Sequence, residues 1–206
     1  KQSLQALATL HNNGIVHRSI GRNSLILSST TMDKQEAASP LATTLSQLKI
    51  KFADFGFASP ISNLIQTDDG FLQRARSYGL DTSSIQDTTS TTTTTTTLGN
   101  NTPSSSYSLA MTQFAMAEDL HALGFVFLAL LLSSLAEIPT ASYAIPSTDE
   151  DSLQRLWNDI FSCDMEEFRE YCDAEVVWDK VVVLLDAKDR SGWKMLEAMC
   201  LARARV

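Results

Sequence analysis

Val16-His17-Arg18-Ser19-Ile20-Gly21-Arg22-Asn23-Ser24 and, further along, Ala53-Asp54-Phe55-Gly56 decide how this chain is read. The first string runs into the apolar residues Leu25, Ile26 and Leu27, and the second follows an alternation of Leu48, Ile50 and Phe52 against Lys49 and Lys51. Both runs have the length and composition of short strands. The two strings therefore flank a strand pair, one before its first strand and one after its second.

Upstream, Leu4, Leu7 and Leu10 recur every three residues and Gly14 follows, the pattern of an amphipathic helix closed by a glycine cap. Ile15 to Ile20 reads as a short extended stretch. Residues 29–47, rich in Ser, Thr and Ala, form an enlarged hairpin loop between the strands, a length that is functional or disordered in most proteins. Residues 82–108 are Ser, Thr, Asn and Gly for the most part, with seven consecutive threonines from Thr91 to Thr97, and have almost nothing apolar to bury. They read as a disordered insertion within a single domain over residues 1–206.

Beyond the insertion the period becomes helical. Leu153, Leu156, Trp157, Ile160 and Phe161 fall on one helical face, preceded by Asp149, Glu150 and Asp151 where a helix dipole favours negative charge. Val177, Val181, Leu184 and Leu185 repeat the stripe, as do Trp193, Leu196 and Met199. The apolar run Ala122 to Leu132 has 11 residues, where a membrane span needs about 20. It reads as a helix buried on all sides in a globular core, so no direct membrane span is expected. The expected class is α+β, mainly α: short β-hairpins joined to a helical bundle.

Composition narrows the partners. Of 206 residues 44% are apolar and 19% charged, well inside the globular range. Sixteen Lys and Arg stand against 24 Asp and Glu, a net charge of -8, which repels nucleic-acid backbone and anionic lipid. Protein partners are expected instead. Cys163, Cys172 and Cys200 are too few and too far apart for a disulfide framework or a zinc site, and read as reduced thiols of an intracellular compartment, cytoplasm or plastid. The first residues read as a helix and not as a signal or transit peptide.

The two opening strings together resemble a protein kinase. The first is similar to the catalytic loop, H-R-D-x-x-x-x-N, and the second to the D-F-G motif that carries a metal-binding aspartate. Asp119-Leu120-His121-Ala122-Leu123-Gly124 resembles the start of the buried central helix of the kinase large lobe, and the elements come in the family's order. The resemblance covers the C-terminal lobe alone. The glycine-rich loop and strand lysine that hold nucleotide phosphates are not among these residues, so Mg-ATP would need a small lobe upstream, and no cofactor is expected otherwise.

Where the chain departs from the pattern, the resemblance implies lost chemistry. Ser19 stands at the catalytic aspartate, and a neutral hydroxyl is a poor general base. Gly21 replaces the catalytic-loop lysine, although Arg22 could reach part of the way. The family's spacing puts the metal-binding asparagine at Ser24, with Asn23 one residue early. Asp54 keeps a metal-binding or nucleotide-binding role, or else serves as a turn-capping carboxylate. The resemblance also implies that His17 and Phe55 pack into a hydrophobic spine, that Arg18 tethers the activation segment, and that Asp119 anchors the catalytic loop. No A-P-E lies between Gly56 and Asp119, and neither Arg203 nor Arg205 falls clearly in register with the family's closing arginine.

The expected function is therefore that of a pseudokinase: an inactive scaffold or regulatory protein that works through protein–protein contacts, with no catalytic residue. Two alternatives remain open. One is a weak or atypical kinase in which Asp68 or Asp69 supplies the missing base. The other is a structural subunit of a large assembly, membrane-associated or in a plastid.

Overall fold

Gln2–Asn12 form the first helix, α1, and Gly14 leaves it at a φ of +68°, a left-handed conformation that glycine adopts without steric penalty. The structure is a computed structural model that describes residues 1–29, 48–83, 105–137 and 146–206. Strand β1 (Ile15–Val16) follows at once, shorter than the expected extended stretch, because Arg18 turns the chain at a φ of +68°. A single turn of 3-10 helix, Arg22–Ser24, leads into β2 (Leu25–Ser29). β2 pairs antiparallel with β3 (Leu48–Phe52), Leu25 opposite Phe52 and Leu27 opposite Ile50. Most of the expected loop at 29–47 lies outside the described residues.

Side chains of paired residues share a face of a sheet, so Lys49 and Lys51 stand with Ser28 and Ile26 while Leu48, Ile50 and Phe52 stand with Leu27 and Leu25. The outer edge of β3 is covered by α1. The Gln2 amide donates to the Leu48 carbonyl and accepts from the Ile50 amide, both at 2.9 Å, standing in for a neighbouring strand. A second two-stranded ladder joins β1 to β4 (Ser59–Pro60).

After β4 come two helices that periodicity did not announce, α2 (Ile61–Thr67) and α3 (Asp69–Ser77). Asp68 separates them and caps α3 by accepting from the Phe71 amide at 2.8 Å. The long helix α4 (Ser105–Ser134) takes in the end of the segment read as insertion, while residues 84–104 lie outside the described residues. Then follow α5 (Glu150–Arg155), one π-helical turn (Leu156–Ile160), α6 (Met165–Ala174), a 3-10 turn (Val176–Trp178), α7 (Asp179–Cys200) and a closing 3-10 turn (Ala202–Arg205). The class is α+β and mainly helical, as the periodicities imply.

Packing divides the chain within α4 into two compact units, Lys1–Met116 and Ala117–Val206. The core of the first gathers Val16, Ile61, Leu64, Phe71, Leu72 and Ala75 around Met111, Phe114 and Ala115 of α4. The core of the second is larger and rich in aromatics, with Trp157, Phe168, Trp178 and Trp193 all buried beside Phe125, Leu128 and Leu132. The segment Leu109–Ser134 of α4 is long and apolar enough to cross a membrane, but 61% of its apolar 18-residue window is buried in the fold, as a core helix is.

Two expected core positions are exposed. Ile160 is 66% exposed because the π-helical turn closes its hydrogen bonds at i+5, as from Phe161 to Leu156, and so rotates residues out of the i, i+3, i+4 stripe. Leu184 is 51% exposed, since Val181 and Leu185 already fill the buried face of α7. That helix is broken at Ala187 to Arg190, where Lys188, Asp189 and Arg190 all take positive φ. Beyond the break, Gly192 lies so close to Leu185 that a Cβ would fall 2.8 Å from the Leu185 Cα. Only glycine permits that approach. Gly124 serves α4 likewise, its missing Cβ lying 2.9 Å from the Met199 Cβ.

Candidate functional site

His17 is the residue that joins the two sequence strings. Its side chain is fully buried, and Nε2–H donates to the Ala53 carbonyl at 2.9 Å. The imidazole also packs against Phe52 and Phe55, with ring centroids 5.4 and 4.9 Å away. Residues 36 positions apart in sequence are thereby held together, and the turn carrying Asp54 is docked on the loop carrying Ser19.

Asp54 stands at the top of that turn in a left-handed conformation, φ +61° and ψ +58°, ahead of a 3-10 turn at Phe55–Phe57. Aspartate tolerates this region better than most residues. Its carboxylate makes no capping hydrogen bond and is exposed, so a turn-capping role is not what holds it there. Phe55 and Phe57 are exposed too, at 45% and 66%.

Across the loop, Ser19 is half-buried and Asn23 is exposed. Ser24 is buried, and its hydroxyl closes on the backbone of Gly21: it donates to the Gly21 carbonyl at 2.7 Å and accepts from the Gly21 amide at 2.9 Å. The 3-10 turn thus uses Ser24 to fasten itself. Asn23 takes no part in that closure. Among the described residues no group of three or more His, Cys, Asp or Glu is arranged to hold a metal ion.

Arg18 forms an ion pair with Asp68, fifty residues on, at the N-terminus of α3. Its side chain therefore fastens the loop after β1 to the start of α3. The same contact bears on Asp68 as a substitute base. The Phe71 amide, then the nearby guanidinium charges of Arg18 and Arg74, hold its carboxyl below the usual carboxylate range despite some desolvation. A carboxylate of lowered pKa, with its oxygens engaged, is a poor proton acceptor. Asp69 is exposed in the first turn of α3.

In the second unit Asp119 is buried, and neither terminal arginine stands alone. Arg205 reaches Glu197 at 3.8 Å, and Arg203 meets the ring of His121. The structure brings together His17, Phe52, Ala53 and Phe55, and separately Arg18 and Asp68. The Arg18–Asp68 pairing had one readable trace in the sequence, an aspartate placed to cap a helix ahead of Phe71 and Leu72.

The chemistry open to the first unit is limited. Around the two strings it offers the exposed carboxylate of Asp54 and a hydroxyl at Ser19, with Asp68 engaged by Arg18 and Asp69 exposed on α3. Compared with models of known protein families, with curated proteins and with solved structures, the chain matches none.

Proposed function

We propose that this chain is the large lobe of a degenerate protein-kinase fold and acts as an inactive scaffold or regulatory protein. The observation that carries this reading is the His17–Ala53 hydrogen bond, which holds a catalytic-loop-like string and an Asp-Phe-Gly turn together in a frame that has Ser19 where a base is needed. The occupied state of Asp68 supports it further, since that one of the two candidate substitute acids is already held by Arg18 and the Phe71 amide. Exposed Ile26, Leu27, Phe55 and Phe57 on the first unit favour a protein surface as partner. The same feature suits the reading of a subunit in a larger assembly.

One observation favours the weak-kinase alternative: Asp54 is exposed and leaves its carboxylate oxygens available to a cation. Thermal unfolding of the full-length protein in millimolar magnesium-ATP separates the two. A ligand at a hundred times its dissociation constant stabilises the folded state by about 2.7 kcal/mol. The scaffold reading predicts no shift in midpoint between magnesium alone and magnesium-ATP. A shift of several degrees that disappears in Asp54→Ala contradicts it.

A further inference from the structure

We propose that His121 is an acid-released clasp on the closing turn, Ala202–Arg205. The ring is 5% exposed, and three elements meet on it. Its Nδ1 lies 2.6 Å from the Cys200 carbonyl, one of the last carbonyls of α7, which lack a partner within the helix. Its Nε2 meets the guanidinium of Arg203. On α4 itself, Phe125 packs edge-on with its centroid 5.0 Å away.

The chemistry of these partners dictates the protonation state. A guanidinium has only donors, so the Nε2 it meets must present a lone pair, and a carbonyl only accepts, so Nδ1 must carry the proton. The imidazole is therefore neutral, with one tautomer selected by contacts on both sides. Protonation would place a hydrogen on Nε2 facing the Arg203 donors, and a second positive charge beside the first. The bond from Nδ1 to Cys200 survives that change, and the bond from Arg203 does not. The closing turn then loses the contact that ties it to the ring.

The groups around the ring agree with this direction. Burial first, then the Arg203 charge, pull the His121 pKa from 6.5 down to about 4, with the Cys200 carbonyl opposing them. The Cys200 thiol is itself pushed up to about 12, by burial and by the neighbouring Cys163, and so brings no charge. Arg205 of the closing turn is engaged by Glu197 of α7, and Glu118 and Asp119 precede the ring on α4. No carboxylate among the described residues hydrogen-bonds to the ring to stabilise an imidazolium.

Because the folded-state value is depressed, the clasp contributes fully above pH 6.5, where both folded and unfolded rings are neutral. Its contribution falls away as the pH drops from 6.5 to about 4. That interval sets about 300-fold as the upper bound on what protonation does to the folding equilibrium, and the Arg203 contact supplies the smaller part of it after burial.

The test is a ¹⁵N NMR titration of the full chain, which has three histidines. The expected result is the Nδ1–H tautomer at neutral pH, a His121 midpoint near 4, and Ala202–Arg205 amide signals that move with that same midpoint. Arg203→Met should raise the midpoint, and His121→Phe should abolish the response of the turn across this interval. A His121 midpoint near 6.5, the opposite tautomer, or closing-turn signals that stay flat while the ring titrates would overturn the proposal.

Discussion

Replacing Phe168 by alanine should destabilise the second unit by about 3–5 kcal/mol, the largest effect expected of any single change outside the glycines. Phe168 is fully buried on α6 and meets Trp157, Phe161, Tyr171 and Trp193, with centroids between 5.6 and 6.4 Å away. Three of those rings stand nearly edge-on, the geometry in which aromatic pairs gain beyond their buried area. Alanine removes all four contacts at once and leaves a cavity walled by rigid rings that cannot collapse into it.

The helix itself adds to the effect. α6 has 10 residues, too short to persist without tertiary anchors. Beside Phe168 it holds Arg169, whose two donors reach Asp186 at 2.8 and 2.7 Å, while the Trp193 indole donates to the same carboxylate at 3.0 Å. All three tryptophans of the chain, Trp157, Trp178 and Trp193, lie in this unit, so denaturant unfolding followed by indole fluorescence reports on it directly. Glu170→Ala, an exposed change on the same helix, should stay within about 0.5 kcal/mol. A Phe168→Ala loss below about 1 kcal/mol would mean that the aromatic cluster is not the anchor of α6.

The second large effect is expected at His17. His17→Ala removes a buried ring packed on Phe52 and Phe55 and leaves the Ala53 carbonyl without its 2.9 Å partner. Stranding a half-buried acceptor costs at the low end of about 1–3 kcal/mol, and the lost ring contacts add about 0.5–1.5 kcal/mol each. Amide exchange at Ala53 to Phe57 should accelerate about 100-fold or more as that turn comes free of the loop. His17→Phe should fall between, because it restores ring packing without a donor. Unchanged exchange in His17→Ala would show that the two strings are held together by something other than this side chain.

How far the sequence alone led differs between local and distant features. The strand pair, the glycine after α1 and the buried faces at Leu153, Trp157, Val177, Val181 and Trp193 follow from spacing and local propensity, and those rules hold wherever the helix keeps its regular period. They failed at Ile160, where a π turn intervenes, and at Leu184, where the stripe was drawn one residue too wide. The helices α2, α3 and α6 are each ten residues or fewer, which leaves too few turns for a period to stand out.

Distant pairings were harder still. The β1–β4 ladder is two residues long, and no pattern in Ile15–Val16 points to Ser59–Pro60. The Arg18–Asp68 ion pair and the His17–Ala53 bond span 50 and 36 residues, so the candidate site was legible as motifs and not as contacts. Ser24 is instructive: counting placed it at a ligand position, while the local backbone captured its hydroxyl through Gly21. Short polar side chains beside a turn compete for the backbone in this way.

The central claim is that this frame persists without its chemistry, and a phosphotransfer assay tests it most directly. Full-length protein is incubated with magnesium and γ-labelled ATP, with and without a generic protein substrate, beside an Asp54→Ala control. The account predicts incorporation no greater than in the control, for itself and for the substrate alike. Robust transfer that is lost in Asp54→Ala would contradict it, and would show that some other group does the work that Ser19 cannot.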